Sequence, residues 1–335
     1  MAKIAVLGAG GWGIAISKLL SENGHKVTLW EFDPQEMRKL STLREQKQKL
    51  PGVILPDEVE VTDQIDSTVS QAELIALALP SHTVREVVKK ISKLELRDPL
   101  MVNLAKGIEN DTLLRMSEVL RQELPSHLHK RITTLSGPSH AEEVARSIPT
   151  TVVVAGFNEE VAKRVQQAFM NPYFRVYTNS DLAGVELGGS LKNVIALAWG
   201  ICDGMKLGDN SKGALLSRGL AEIIRLGEKL GAKRETFAGL SGLGDLVTTC
   251  ISRYSRNRFV GEEIGKGKTL KKVESEMIMV AEGIRTTKSA YQLSLKHDTE
   301  MPITQQVYKV LFKNQNPDLA INELMTRDPK SEIWS

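Results

Sequence analysis

The first 20 residues constrain the fold of this chain more than any other segment. Lys3–Leu7 is a short β-favouring run, Gly8–Gly13 reads Gly-Ala-Gly-Gly-Trp-Gly, and an apolar helical pattern runs from Ile14 to Leu20. A strand, a G-x-G-x-x-G turn and a helix in this order are the fingerprint of a dinucleotide-binding fold. The sequence therefore predicts that the chain begins with the phosphate-binding unit of such a fold.

Each glycine in this spacing has a physical task. Gly8 permits a tight turn, Gly10 has no Cβ and lets a pyrophosphate approach the backbone, and Gly13 lets the helix pack close to the strand. The N-terminus of the helix offers free N–H groups and the positive end of its dipole to the phosphates. A glycine-rich turn without a ligand is the alternative, and the flanking strand and helix disfavour it.

Glu31 is the candidate for the ribose end of the cofactor site. It closes the second predicted strand, 18 residues beyond Gly13, where an acidic residue usually binds the adenosine ribose hydroxyls. A carboxylate repels a 2′-phosphate and so favours NAD, whereas Arg38 and Lys39 on the next helix leave NADP open. A solvated carboxylate at a strand end is the alternative interpretation.

Short β-rich runs alternate with helical stretches up to about residue 178. The predicted strands are Lys3–Leu7, Lys26–Glu31, Val59–Thr62, Leu74–Leu79, Leu100–Leu104, Ile132–Leu135, Thr151–Ala155 and Phe174–Tyr177. Helical patterns lie between most of them, for example over Asp111–Glu123 and Glu159–Phe169. Alternating strands and helices predict an α/β, doubly wound Rossmann-type sheet, mostly parallel, with antiparallel strands allowed at its edges.

The β-rich runs stop after residue 180, and long helical patterns follow. They cover Asp181–Met205, Lys212–Leu230, Arg253–Ile264, Ile284–Leu295 and Ile303–Phe312. Glycines between them mark helix ends and turns. We therefore predict a dinucleotide-binding Rossmann-type domain over residues 1–180 and an all-α substrate-binding and catalytic domain over residues 181–335.

Composition narrows the classes of function. The net charge is +3, which argues against a nucleic-acid surface, and we expect the basic cluster of Arg44, Lys47 and Lys49 to be solvated. The two distant cysteines make no disulfide framework, and neither they nor the histidines have the spacing of a metal site. The early first strand leaves no room for a signal peptide, and no apolar run spans a membrane. We expect a cytoplasmic protein without a metal.

Several later segments carry a more specific pattern. They are Ala105–Glu109, Leu135–Val144, Gly184–Val194, Gly208–Asn210, Ser217–Leu220, Gly239–Leu246 and Ser255–Asn257. Together with the glycine turn, and in matching order from Lys3 to about Thr286, they closely resemble the bacterial NAD(P)-dependent glycerol-3-phosphate dehydrogenases. That family reduces dihydroxyacetone phosphate to sn-glycerol 3-phosphate for phospholipid synthesis. The resemblance implies this activity, with NAD(H) or NADP(H) as the cofactor.

The resemblance also implies roles for individual residues, with Lys192 as the catalytic, proton-transferring group. The implied substrate contacts are Lys106, Gly137, Ser139, Lys192, Asp245, Ser255, Arg256 and Asn257. The implied cofactor contacts are Gly8, Gly10, Gly11, Trp12, Gly13, Glu31, Phe32, Lys106, Ala141, Arg256, Val280 and Glu282.

The chemistry of ketone reduction gives a separate reason to single out Lys192. The developing alkoxide needs positive charge and then a proton. Lys192 lies in an apolar helical stretch beside Leu191 and Val194. We expect burial to lower its pKa, with Lys106 acting in the same direction and Asp245 opposing it. Taken alone, a lysine is more often a surface residue and such an aspartate more often caps a helix.

Three positions depart from the family pattern. Phe32 stands where relatives often carry a basic or imidazole side chain, which weakens the case for NADP and leaves the choice of coenzyme open. His140 stands where a phenyl ring is common, and Ser190 stands where alanine is usual. We expect His140 to form a cofactor wall or to serve in packing, rather than to act as a general acid.

Two other functions stay open on the sequence. A β-hydroxyacid or 6-phosphogluconate-type dehydrogenase has a similar plan, but Arg256 with Ser255 and Asn257 suits a phosphate. Taken alone, these three residues more often form a helix cap followed by a charged helix face. A redox-sensing regulator would need a further binding module, and no helix-turn-helix or basic stripe is evident. We expect a small-molecule substrate, neither a nucleic-acid nor a membrane partner, and a homodimer.

Overall fold

An eight-stranded sheet forms the first half of the described chain. The structure, a computed structural model, describes residues 1–332, so residues 333–335 of the predicted helical domain lie outside the described residues. The strands are β1 (Lys3–Leu7), β2 (Lys26–Trp30), β3 (Glu60–Thr62), β4 (Leu74–Leu77), β5 (Leu100–Asn103), β6 (Ile132–Ser136), β7 (Thr150–Gly156) and β8 (Phe174–Asn179). Their spatial order is β3-β2-β1-β4-β5-β6-β7-β8.

The strand order reverses between β1 and β4. Strands β1 to β6 pair in parallel, β7 pairs antiparallel with β6, and β8 pairs in parallel with β7. Because the chain leaves the two central strands in opposite directions, a crevice opens outside their carboxyl ends, where ligands bind in folds of this kind. The doubly wound sheet that the sequence predicts is confirmed, and so is the antiparallel pairing near one edge.

Helices lie between the strands and then take over the chain. Those of the first half are α1 (Gly11–Glu22), α2 (Pro34–Leu43), α3 (Ile65–Ser70), α4 (Val84–Ile91), α5 (Met116–Glu123), α6 (Ala141–Val144) and α7 (Glu159–Phe169), with short 3₁₀ turns over Ser81–Thr83 and Ser126–Arg131. Those of the second half are α8 (Leu182–Gly204), α9 (Asp209–Lys229), α10 (Arg234–Phe237), α11 (Asp245–Ile251), α12 (Arg256–Gly265), α13 (Leu270–Glu276), α14 (Glu282–Lys296), α15 (Pro302–Lys313) and α16 (Pro317–Met325), with a π-helical turn over Leu240–Gly244. Residues 181–332 contain no strand, which confirms an all-α second half over that range.

One predicted helix is shorter than its pattern indicates. The helix expected over Asp111–Glu123 begins only at Met116. Leu113 has a left-handed backbone with φ 62°, which the interior of a right-handed helix does not accommodate. The side chain of Glu118 then accepts a hydrogen bond from the N–H of Arg115 at 2.9 Å and closes the N-terminus of α5.

Side chains of the sheet alternate between two helical layers. Ile4 and Val6 of β1 pack into a core with α1 and α7, whereas Ala5 and Leu7 pack into a core with α3, α4 and α5. This alternation follows from the two-residue period of a strand. Apolar burial on both faces therefore holds the sheet between its helices and fixes the crevice at the carboxyl ends of the strands.

Helix α8 is the central element of the helical half. Nearly all of its residues are buried, and α9, α11, α12 and α14 pack around it. A Cβ at Gly200 would lie 2.0 Å from the carbonyl oxygen of Arg258, and a Cβ at Gly261 would lie 2.0 Å from that of Leu197. These two glycines therefore allow α8 and α12 to approach backbone to backbone. Within residues 1–332, no helix has both the length and the apolar character needed to cross a membrane.

Glu186 joins α8 to the sheet half. Its buried carboxylate accepts hydrogen bonds from the N–H and Oγ of Ser117 at 2.8 and 2.6 Å, from Arg115 at 3.0 Å and from Thr134 at 3.1 Å. Burial raises the pKa of Glu186, and the charge of Arg115 and the Ser117 and Thr134 hydrogen bonds oppose this rise. The four hydrogen bonds fix α8 against the N-terminus of α5 and against β6.

Replacing Glu186 tests this joint. Glu186→Ala should lower the free energy of unfolding by about 3 kcal/mol, because it leaves Arg115 and two hydroxyls without their buried acceptor. The measurement is urea denaturation followed by circular dichroism. Glu86→Ala is the matched control, since Glu86 pairs with Lys90 on the surface and should change stability much less. Equal effects of the two substitutions would contradict the assignment.

Candidate active site

The glycine turn lies at the carboxyl end of β1, beside the reversal of strand order. Gly8 has φ 107°, a left-handed conformation that glycine adopts without strain. A Cβ at Gly13 would lie 1.8 Å from the carbonyl oxygen of Gly8, whereas a Cβ at Gly10 would have no atom within 4 Å. Gly10 is also the N-cap of α1, with extended backbone. The turn thus has an open side at Gly10, which fits the approach of a pyrophosphate to the N-terminus of α1.

Glu31 follows β2, which ends at Trp30 and not at Glu31 as the sequence predicted. The Glu31 side chain is buried and lies 3.7 Å from Nζ of Lys49, so the interpretation of Glu31 as a solvated carboxylate is wrong. Its Oε1 also accepts a hydrogen bond from the N–H of Asp33 at 3.2 Å. Phe32 beside it is 75% exposed.

The basic cluster of Arg44, Lys47 and Lys49 was expected to be solvated, and for two members this is wrong. Lys49 pairs with Glu31, and its carbonyl oxygen lies 2.9 Å from the position of a Cβ at Gly11. The guanidinium of Arg44 donates hydrogen bonds to backbone carbonyls of its own loop. Sequence reasoning missed Lys49 because the loop between α2 and β3 carries no periodic pattern that shows where it folds.

Asp245 joins two lysines that are distant in the sequence. Its Oδ1 lies 2.5 Å from Nζ of Lys192 on α8, and its Oδ2 lies 2.8 Å from Nζ of Lys106, which follows β5. The side chains of Asp245 and Lys192 are only 2% and 6% exposed, and that of Lys106 is 20% exposed. Asp245 is the first residue of α11, whose N-cap is Gly244, and its carboxylate accepts from the side chains of Lys106, Lys192 and Thr249, so its interpretation as a helix cap is wrong.

Burial and charge set the protonation of this cluster. Removal from water lowers the pKa of Lys192 to about 8, Lys106 acts in the same direction, and Asp245 opposes both. Burial alone raises the pKa of Asp245, but the two ammonium groups outweigh burial and hold that pKa below its usual value. The charged pair therefore persists at neutral pH, with Lys192 close to its titration range.

The turn after β6 lies against Lys106. Nζ of Lys106 donates hydrogen bonds to the carbonyl oxygen of Gly137 at 2.8 Å and to Oγ of Ser139 at 3.3 Å. Gly137 has φ 133°, and a Cβ there would lie 3.0 Å from Cα of Val152. The structure therefore brings Lys106, Gly137 and Ser139 into direct contact.

Ser255, Arg256 and Asn257 form the start of α12. The helix begins at Arg256, later than the predicted Arg253, because Oγ of Ser255 accepts a hydrogen bond from the N–H of Arg258 at 3.2 Å and caps it. The side chain of Arg256 is exposed, and that of Asn257 is buried. The capping interpretation of Ser255 is therefore right, and it leaves the guanidinium of Arg256 available to a ligand.

Two polar residues near the lysines were not singled out from the sequence. Oγ1 of Thr249 accepts a hydrogen bond from Nζ of Lys192 at 2.6 Å. Asn193 donates to the carbonyl oxygen of Lys106 at 3.3 Å and accepts from the amide of Asn257 at 2.8 Å. The spacing of Thr249, one helical turn beyond Asp245, was a usable signal, because residues four apart share one helix face.

The remaining predicted cofactor residues are Trp12, Ala141, Val280 and Glu282. Ala141 starts α6 and lies with its Cβ 3.8 Å from the position of a Cβ at Gly11. Glu282 starts α14, and its carboxylate accepts hydrogen bonds from the N–H and Oγ of Ser81 at 2.8 and 2.5 Å. Trp12 is half-buried on α1, and Val280 is 40% exposed.

Residues 1–332 contain no group of three or more His, Cys, Asp or Glu side chains arranged to hold a metal ion. The site contains a phosphate-binding turn, two ammonium groups, a carboxylate and a guanidinium. A dinucleotide cradle at the switch point of the sheet, next to a buried lysine with a lowered pKa, is the arrangement of a nicotinamide-dependent dehydrogenase.

Comparison with known proteins narrows this class. The models of the NAD-dependent glycerol-3-phosphate dehydrogenase N-terminus and C-terminus match residues 3–162 and 181–322. The protein named glycerol-3-phosphate dehydrogenase, NAD(P)+, from Fusobacterium nucleatum is 49% identical over 335 residues, which is 100% of both chains. The protein of the same name from Thermoanaerobacter sp. is 50% identical over 331 residues, 99% of each.

A solved structure gives the same result. The crystal structure of glycerol-3-phosphate dehydrogenase from Coxiella burnetii matches with a TM-score of 0.92 and 35% identity, covering 97% of this chain and 99% of that chain. The chain belongs to the family of NAD-dependent glycerol-3-phosphate dehydrogenases.

Two glycine substitutions separate the turn's structural task from its ligand-binding task. Gly13→Ala should lower stability by about 2 kcal/mol, because its Cβ has no room against Gly8. Gly10→Ala should leave the melting temperature almost unchanged, because its Cβ meets open space, yet raise KM for the coenzyme on the order of tenfold. Thermal unfolding and coenzyme titrations measure both effects. A Gly10→Ala protein with normal KM would contradict a pyrophosphate at this position.

Proposed function

We propose that this chain is an NAD(P)-dependent glycerol-3-phosphate dehydrogenase that interconverts dihydroxyacetone phosphate and sn-glycerol 3-phosphate, and so supplies phospholipid synthesis. The observation that carries the proposal is the hydrogen bonding of the buried Lys192 ammonium. Among residues 1–332, its ammonium has two acceptors, Asp245 and Thr249, so one of its three N–H groups is left for a substrate oxygen.

The residues around the glycine turn fit a dinucleotide coenzyme. The open side at Gly10 and the first turn of α1 would hold the pyrophosphate, and Glu31 would hold the ribose. The predicted contacts from Gly11, Trp12, Ala141, Val280 and Glu282 would complete the site. When bound, the reduced nicotinamide supplies the hydride for the carbonyl carbon.

Lys192 supplies the positive charge and the proton for reduction. Its free N–H would donate to the carbonyl oxygen, stabilise the alkoxide as negative charge develops there, and then transfer the proton. With a pKa of about 8, the ammonium is charged at neutral pH but gives up a proton more easily than a solvated lysine. In the reverse reaction the neutral amine would take the proton of the alcohol. Asp245 would hold Lys192 in place, and the opposing charges of Asp245 and Lys106 would tune its pKa.

The start of α12 is the proposed phosphate site. The first backbone N–H groups of a helix have no partner within it, and the guanidinium of Arg256 beside them offers a planar fork of donors to phosphate oxygens. Asn257 and Ser255 add donors at the same point. This arrangement, with the named relatives, favours a phosphoester substrate over the carboxylate of a β-hydroxyacid or 6-phosphogluconate-type dehydrogenase.

The preference between NADH and NADPH stays open in the proposal. The buried Glu31 and the exposed Phe32 favour NADH, while Lys49 adds a cation beside Glu31 that would favour a 2′-phosphate. A homodimer, a cytoplasmic location and the absence of nucleic-acid partners stay predictions from the sequence.

The function is tested by following the oxidation of NADH and of NADPH, each with dihydroxyacetone phosphate. We expect turnover with the phosphorylated ketone and little with dihydroxyacetone, since the latter gives Arg256 nothing to bind. Equal rates with and without the phosphate, or no turnover with either coenzyme, would contradict the proposal.

Replacing Lys192 tests its role. Lys192→Ala should lower kcat by about 10² to 10⁴-fold, because the alkoxide loses its proton donor, and should change KM for dihydroxyacetone phosphate much less. Steady-state kinetics measure this split. Lys163→Ala is the control, since Lys163 lies on the surface of α7 and pairs with Glu159 and Glu160 of the same helix. Near-normal turnover in Lys192→Ala would refute the assignment.

A further inference from the structure

His140 lies in the turn after β6, between Ser139 and Ala141. Its ring centroid is 6.0 Å from that of Tyr254, and the charges of Lys192, Lys106 and Asp245 act on it. Its Nε2 is buried and has no hydrogen-bond partner among residues 1–332. A buried imidazole nitrogen is thus left unpaired beside the lysine and carboxylate cluster.

The unpaired nitrogen is an acceptor at neutral pH. Burial lowers the pKa of His140 to about 4, and the ammonium groups of Lys192 and Lys106 act in the same direction. The ring is therefore neutral, with one N–H and one lone pair. In the tautomer that carries the proton on Nδ1, the lone pair lies on Nε2, the buried nitrogen without a partner.

Acceptors are scarce around the two lysines. Both carboxylate oxygens of Asp245 already accept from Lys106 and Lys192, and the carbonyl oxygen of Gly137 accepts from Lys106. The proposed substrate brings a carbonyl and a phosphate, which accept hydrogen bonds, and one free hydroxyl, which donates. A buried unpaired acceptor is costly, and a ligand donor is a physical reason for its presence in a binding site.

We propose that Nε2 of His140 accepts a hydrogen bond from the free hydroxyl of the three-carbon substrate and thereby selects a hydroxymethyl ketone over a methyl ketone. This inference rests on the proposed function and adds a specificity-determining residue to it. Nε2 is out of contact with water, so water does not compete for it. A small movement of the neighbouring side chains must admit the hydroxyl as the substrate enters.

The test compares dihydroxyacetone phosphate with hydroxyacetone phosphate, which has the same carbonyl and phosphate but no free hydroxyl. Wild-type enzyme should prefer dihydroxyacetone phosphate in kcat/KM, since a site built for a hydroxyl rejects the analogue that lacks it. His140→Phe should lower kcat/KM for dihydroxyacetone phosphate by about tenfold and leave that for hydroxyacetone phosphate within about twofold. His140→Gln, which offers an amide oxygen, should keep part of the preference.

Tyr254→Phe is the matched control. It changes the ring beside His140 without removing the acceptor, so the substrate preference should stay at its wild-type value. An unchanged preference in His140→Phe, or the same loss in Tyr254→Phe, would overturn the inference while leaving the proposed function intact. Wild-type enzyme that reduces neither ketone would instead overturn the proposed function itself. The preference is a ratio within one protein, so a loss of folded enzyme does not imitate it.

Discussion

One buried carboxylate organises the site. Asp245 holds the ammonium of Lys192 from the helical half and that of Lys106 from the edge of the sheet. Two cations this close would repel each other strongly in a poorly solvated site without a carboxylate between them. Removing one partner of such a pair leaves an uncompensated buried charge, at a cost of about 3–5 kcal/mol. The ion pair therefore joins the two halves and holds the ammonium of Lys192 in a buried position, where removal from water lowers its pKa.

Other contacts place that joint. Glu186 fixes the first part of α8 against β6 and α5, six residues before Lys192. On the other side of the crevice, Glu282 at the start of α14 accepts two hydrogen bonds from Ser81 after β4. The side-chain amide of Asn257 donates a hydrogen bond to Asn193 and accepts one from the N–H of Gly283. Hydrogen bonds of Glu186, Glu282 and Asn257 thus position the segments of both halves that surround the two lysines.

Much of this could be read from the sequence, for reasons that differ by residue. The glycine spacing fixes the turn because only glycine suits φ 107° at Gly8 and the close packing at Gly13. The apolar neighbours of Lys192 correctly predicted that burial lowers its pKa. The partner of Lys49 and the left-handed Leu113 could not be predicted, because each depends on where an aperiodic loop folds. The direction in which burial, Lys106 and Asp245 each shift the pKa of Lys192 was predictable from the sequence. The net shift was not, because it depends on the distances between these groups.

The most direct test of the account is the pKa of Lys192 itself. In protein labelled with ¹³C-lysine, the Cε signal of Lys192 can be assigned by its loss in Lys192→Arg and followed through a pH titration. We expect a midpoint near pH 8, and a lower midpoint in Asp245→Asn, where the opposing carboxylate charge is gone. A midpoint near 10.4, as for a solvated lysine, would contradict it.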